Sequence, residues 1–176
     1  SGGATPGGNW EDVNWSAAEA GDADTANWIS GDTAILSAGS DATGSFTLNL
    51  SSANTIGGLT VQEGSPTISG TGSLVLNNSE TPFFITSAVT VSSAITGSGQ
   101  GINKQGTGTL TLTGANTFNG DLRINAGSVS VAGSLGSLNK LSFGWNNTGS
   151  GENLDITAGS NITTNQLILC DWYYTD

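Results

Sequence analysis

Three kinds of side chain could do chemistry in this 176-residue chain: fourteen carboxylates, three cations and one thiol. There is no His, so neither a His-dependent nucleophile nor a His metal cluster can be built. Carboxylates alone could cleave a glycosidic bond, provided two of them face each other across it. The candidates along the body are Glu63, Glu80, Asp121, Glu152 and Asp155. A coil near thirty residues would set Asp121 and Glu152 side by side on neighbouring rungs. It would bring Glu63 to the face of Glu152 only if coil lengths average out. Lys104, Arg123 and Lys140 do not cluster in sequence, as stabilising a carbanion would require. Asp22 and Asp24 come nearest to a Ca²⁺ loop, but lack its Gly and distal Glu. The expectation is therefore no catalytic residue and no cofactor, with Ca²⁺ at Asp22 and Asp24 the weak exception. Cys170 has no partner for an internal disulfide and reads as a small buried hydrophobe after Leu167-Ile168-Leu169.

The elements that would hold these groups are short strands. Leu110/Leu112, Leu122/Ile124 and Val129/Val131 are apolar pairs spaced by two, the signature of a strand with one buried face. Apart from Phe118, only Gly, Asn, Thr, Ser, Asp and Ala lie between the pairs, and the Gly and Asn clusters read as corners because those residues tolerate positive φ. Three strands and three corners make one turn of a triangular coil.

The pattern repeats. Leu48-Asn49-Leu50-Ser51-Ser52-Ala53-Asn54-Thr55 aligns with Leu110-Thr111-Leu112-Thr113-Gly114-Ala115-Asn116-Thr117. A pentad of aliphatic, polar, Ala or Glu, then Gly-Ser starts at Leu36, Val61, Ile124 and Ile156. These steps predict roughly five coils of about 25 to 33 residues, since a coil buries its apolar face only by stacking on neighbours. The fold class is all-β: a right-handed parallel β-helix, a three-sided solenoid. An antiparallel sandwich, the rival, has no reason to repeat a motif at coil spacing. No capping box precedes a helical run.

Residues 1–32 read as a separate unit, a Gly-rich arm followed by a cap, ahead of β-helix repeats over 33–176. Three Asn-Trp dipeptides place Trp10, Trp15 and Trp28 where large aromatics can cover the apolar end of the first rung. An aromatic sugar platform is the competing reading. The arm of residues 1–9 must be tied down, by its own solenoid or by a neighbouring subunit. In Phe83-Phe84 one ring should point in and the other out. Trp172, Tyr173 and Tyr174 end the chain in strand-like sequence, pointing either to a longer protein or to an edge that docks on another molecule.

The charge balance narrows partners. With 3 basic residues and a net charge of −11, the chain cannot assemble the basic patch that nucleic acid requires, and an anionic membrane surface is disfavoured. No apolar run of 18 residues is available to span a membrane. Ser, Thr, Asn and Gly must clothe the shaft, because stacked like charges repel whereas stacked hydroxyls and amides bond along the axis.

Gly106-Thr107-Gly108-Thr109-Leu110-Thr111-Leu112-Thr113-Gly114-Ala115-Asn116-Thr117-Phe118-Asn119-Gly120, followed by Asn125-Ala126-Gly127-Ser128-Val129-Ser130-Val131, resembles the passenger-associated transport repeat, or autotransporter-associated β-strand repeat. Lys104, two residues ahead, also fits that family. The likeness is best over 104–131, weaker over 30–100, and thins beyond Val131. It implies a parallel β-helix of a secreted or surface-exposed bacterial protein, exported by a signal peptide, with no catalytic residues of its own. The repeat-defining positions are Leu110, Leu112, Asn116, Leu122, Ile124, Gly127, Val129 and Val131. The function expected first is a non-catalytic extracellular rod that self-associates head-to-tail into a filament, its terminal arms adding strands, with Trp10, Trp15, Trp28, Trp172, Tyr173 and Tyr174 at the joints. The alternatives are a passenger or stalk fragment of an autotransporter adhesin, and a β-helix that binds or cleaves carbohydrate. A surface glycan or a host or matrix ligand would be the partner other than self.

Overall fold

The computed structural model describes residues 7–17, 24–36, 44–144, 152–157 and 159–169. Strict inside–outside alternation dictates what these residues form: nineteen short strands and, among the described residues, no helix. Three parallel sheets carry seventeen of them. Sheet one has seven parallel strands, Gly8–Asn9, Ser45–Leu50, Ser65–Gly70, Ala88–Val91, Thr109–Leu112, Ser128–Val131 and Asn153–Ile156. Sheet two also has seven, Thr33–Leu36, Gly58–Val61, Thr81–Ile85, Ile102–Gln105, Asp121–Ile124, Ser137–Phe143 and Thr163–Ile168. Sheet three holds Ala53–Ile56, Ser73–Leu76 and Ala94–Thr96, and continues as a single bridge from Ala115 to Ser134. From Thr33 onward the chain visits sheets two, one and three in that order, again and again. The result is a right-handed parallel β-helix of about five coils.

The middle coils are tighter than the pentad spacing predicts: Leu110 pairs with Val129, nineteen residues on, whereas Leu36 with Val61 and Leu141 with Leu167, twenty-five and twenty-six on, keep to it. The pentads mislead for a definite reason. Leu36 and Val61 are true neighbours in sheet two, but two further strands of that sheet separate Val61 from the strand of Ile124. Ile156 lies in sheet one, opposite Val131. The motif marks a strand followed by a Gly corner, and every sheet has those, so its recurrence does not define one column. Likewise Leu48 stacks in the column of Leu112, through Ile68 and Val91, rather than that of Leu110. Two strands of sheet three, Ala53–Ile56 and Ala94–Thr96, are shorter in apolar residues than the alternation rule asks and do not stand out in the sequence.

Inside, like stacks on like. Val89, Leu110, Val129 and Leu154 form one column of sheet one, and Ile102, Leu122, Leu141 and Leu167 one of sheet two. Rungs lie about 4.7–4.9 Å apart, so each aliphatic side chain touches the one above and below, and each full burial contributes about 1.5–3 kcal/mol. Outside, Thr47, Thr67, Thr90, Thr111 and Ser130 form a ladder of hydroxyls. Phe83 is wholly buried and Phe84 is 43% exposed, the two faces of one strand.

The described part of the arm is settled within its own molecule. Gly8 and Asn9 pair in parallel with Leu48 and Asn49, adding a first strand to sheet one. The segment that follows folds over the end of the core, with Trp15–Ser16 and Thr25–Ala26 as an antiparallel pair.

Candidate functional site

Three constructions place the polar residues, and the carboxylates come first. Asp121 sits in sheet two, whereas Glu152 leads into the sheet-one strand Asn153–Ile156. The side-by-side stacking expected of them does not occur, because a coil there is shorter than thirty residues. Glu63 and Glu152 do share a corner, each just ahead of a sheet-one strand, but four rungs of that sheet lie between them. That is about 19 Å, too far to act on one bond. Glu80 and Asp121 project from one edge of sheet two, two rungs apart. Both Glu80 oxygens lie 2.9 Å from Arg123 Nη1. Asp121 Oδ2 lies 3.8 Å from Lys140 Nζ, and its Oδ1 accepts a 2.7 Å bond from Asn139. Arg123 thus faces Glu80 and Lys140 faces Asp121. Among the described residues, no three His, Cys, Asp or Glu gather as metal ligands. Asp24 is exposed. Asp22, Cys170, Trp172, Tyr173 and Tyr174 lie outside the described residues.

The second construction is the corner machinery of residues 102–131. Lys104 falls on the inner face, in a column of Leu59, Phe83, Ile124 and Phe143, and is wholly buried. Its ammonium donates to three main-chain carbonyls, Gln105 at 3.0 Å, Gly106 at 2.7 Å and Ala126 at 3.1 Å. Two belong to its own rung and one to the next, so one cation ties two corners together. Burial pushes its pKa down from 10.5 to about 8. The tie needs close backbone approach, and Gly127 provides it: φ is +67°, and a Cβ there would lie 2.6 Å from the Gly106 carbonyl oxygen. Asn116, 2% exposed, pins the opposite corner. It accepts from Ile95 N at 3.0 Å and donates to the Gly114 and Ser134 carbonyls, both at 3.0 Å, joining three rungs. Leu110, Leu112, Leu122, Ile124, Val129 and Val131 are wholly buried beside these ties. Sequence reasoning grouped Lys104 with scattered cations. The signal it held was alternation itself: Ile102, Lys104 in one strand stack on Leu122, Ile124 in the next.

The third construction is the cap. Trp10, Trp15 and Trp28 pack against one another with ring centroids 4.6–5.1 Å apart, tilted or edge-on. Trp10 is wholly buried in the core. Trp15 Nε1 donates to the Trp10 carbonyl at 2.8 Å and Trp28 Nε1 to the Thr55 carbonyl at 3.1 Å. This geometry leaves no exposed ring face of Trp10 for a sugar to stack on. Glu11, which nothing in the sequence singles out, locks the cap to the first rung. Its Oε1 accepts from Ser51 N at 3.0 Å, Ser52 N at 2.9 Å, Ser52 Oγ at 3.0 Å and Asn54 Nδ2 at 2.9 Å. Burial by itself would raise this carboxyl. The bonds from Asn54, the Ser52 amide and hydroxyl, and its own amide outweigh that and hold it at about 2, against 4.5 ordinarily. A carboxylate with four donors thus takes the place of the preceding rung's carbonyls.

Comparisons with known proteins agree with this architecture. Residues 102–131, the coil tied by Lys104, Asn116 and Gly127, match the family model of the passenger-associated transport repeat. A curated relative, the adhesin BmaC autotransporter of Brucella suis biovar 1 (strain 1330), is 36% identical over 124 residues. That alignment covers 64% of this chain and 4% of the relative, so the chain spans a small part of the length of the protein it matches. No solved structure matches.

Proposed function

We propose that this chain is a stalk segment of an autotransporter passenger: a non-catalytic rod that stands outside a bacterial cell. The observation that carries the reading is the coincidence of the transport-repeat match with the best-tied coil of a stacked solenoid. Each rung of such a stack is completed by the next through local contacts, so the chain can fold progressively as it emerges, without waiting for distant partners. Sheet edges are closed by neighbouring rungs along the shaft, and hydroxyl and amide ladders keep it soluble. The relative's printed role as an adhesin supports a surface location and a carrying role for this segment. The test is made in the parent cell. An antibody to residues 44–144 should label intact bacteria, and protease added outside should shave the segment off. An epitope reached only after lysis, or a parent gene without a barrel-forming C-terminal region, would remove the reading.

Head-to-tail assembly is a second reading with one observation in its favour. At the last described coil Ile156 and Leu167 are 46% and 55% exposed, although their columns are buried further back at Val131 and Leu141. A second copy stacking there would cover them, as would further coils of a longer chain. The paired arm weakens one premise, since Gly8 and Asn9 add a strand to their own solenoid. Sedimentation velocity across a wide concentration range separates the outcomes: growing, elongated species support assembly, and a single monomer throughout refutes it.

A further inference from the structure

The corners between sheets three and two leave a groove of about 510 Å³ along the shaft. It is drawn from successive rungs, with Glu80 at one end, Asn119 and Asp121 next, then Ser137 and Asn139, and Asn165 at the other end. At the rung spacing of a parallel sheet, those residues span about 19 Å, the length of a short linear polymer rather than one ring. We propose that this groove binds a neutral oligosaccharide lying along the solenoid axis.

The chemistry of the lining selects that ligand. Every named side chain is a carboxylate, an amide or a hydroxyl, the groups that pair with vicinal sugar hydroxyls. Much of their bonding capacity is open. The Asn119 oxygen accepts from Gly99 N at 2.6 Å, but its amide nitrogen makes no bond to a described residue. Asn139 donates to Asp121, and its oxygen accepts nothing from the described residues. Neither the Ser137 hydroxyl nor the Asn165 amide bonds to any described residue. Open amide and hydroxyl groups thus stand on three successive rungs, able to donate to and accept from sugar hydroxyls.

Charge excludes the other polymers. Arg123 faces Glu80 and Lys140 faces Asp121, so the groove is locally balanced within a chain of net charge −11. An anionic glycan would meet the long-range repulsion of that charge without a local cation to spare. A peptide cannot add here as a strand, because the strands that flank the groove are paired with their neighbouring rungs. The groove offers no aromatic platform, so single-site affinity should be millimolar, and repetition along a stalk would supply avidity. The site itself needs only this segment; the avidity of repeated copies rests on the stalk reading.

The experiment is a ¹⁵N-resolved NMR titration of the chain with cellohexaose, maltohexaose and laminarihexaose, with a galacturonic acid oligomer alongside. The side-chain amides of Asn119, Asn139 and Asn165 are the reporters. At least one neutral hexasaccharide should move all three saturably in the millimolar range, and the acidic oligomer should leave them in place. Ser137→Ala and Asn165→Ala, which remove no bond to a described residue, should each weaken binding about 3- to 10-fold with the melting temperature unchanged. The Thr111→Ala control on the far sheet should bind as the parent does. Three results would overturn the assignment: no response to any neutral probe, equal binding by the Ser137→Ala and Asn165→Ala chains, or a stronger response to the acidic oligomer.

Discussion

Replacing Lys104 by Met asks what a buried cation does in a hydrophobic column. The wild-type ammonium has no exposed surface and its pKa is lowered from 10.5 to about 8. Below pH 8 the group is protonated in both folded and unfolded chains, and the folded state bears the full cost of burying a charge. Between pH 8 and 10.5 the folded chain gives up the proton while the unfolded chain keeps it. The unfolded state then binds more protons, so stability rises with pH across that window. Above 10.5 both forms are neutral and the rise ends. The span of two and a half units corresponds to about 3 kcal/mol, with a slope approaching 1.4 kcal/mol per pH unit in mid-window. Met fills the column but leaves the carbonyls of Gln105, Gly106 and Ala126 without their shared donor, so Lys104→Met should be less stable at pH 7 by about 2–4 kcal/mol. Urea denaturation of both chains at intervals from pH 7 to 10.5 reads the difference directly, because tyrosine and thiol titrations are common to both. The wild type should gain on the variant as pH rises. Parallel stability curves would show that burial does not lower this pKa, and a variant more stable than wild type at pH 7 would show that the three carbonyls do not hold the ammonium at a net gain.

Other perturbations test the remaining ties. Glu11→Gln removes the carboxylate that four donors share, and partial exposure screens its worth to about 1–2 kcal/mol at neutral pH. Since its folded pKa is depressed, that contribution is present above pH 4.5 and fades as pH falls towards 2, so the two chains should converge in acid; a gap unchanged at pH 2.5 would refute the clamp. Gly127→Ala forces a side chain against the Gly106 carbonyl at a positive φ and should cost about 2–4 kcal/mol in chemical denaturation, with little loss counting against the tight corner. Asn116→Ala takes the side-chain acceptor from the Ile95 amide and removes one of the two donors to each of the Gly114 and Ser134 carbonyls, which keep their backbone bonds; it should lower stability by about 1–3 kcal/mol, with faster amide hydrogen exchange at Ile95 as the local sign.

The family likeness in Gly106–Val131 and the alternation of Leu110 with Leu112 were both visible in the letters, and so was the outcome at Phe83 and Phe84. A pleated strand projects residues to opposite faces with a period of two whatever surrounds it, so inside and outside can be read locally. The lack of His and the excess of acid likewise bounded the chemistry before any fold was known. Register could not be read that way. Corner lengths vary freely between coils, and a shift of a few residues moved Glu152 away from Asp121 and Ile156 onto another sheet. Lys104 carried a charge that argued for solvent, and only the closing of two corners over it supplied the carbonyls that let it stay inside. Glu11 and Asn54, forty-three residues apart, meet because the cap folds over the first rung. Alternation belongs to a single strand and is written in it; the bonds of Lys104, Glu11 and the axial groove belong to neighbouring coils, and exist only once those coils are stacked.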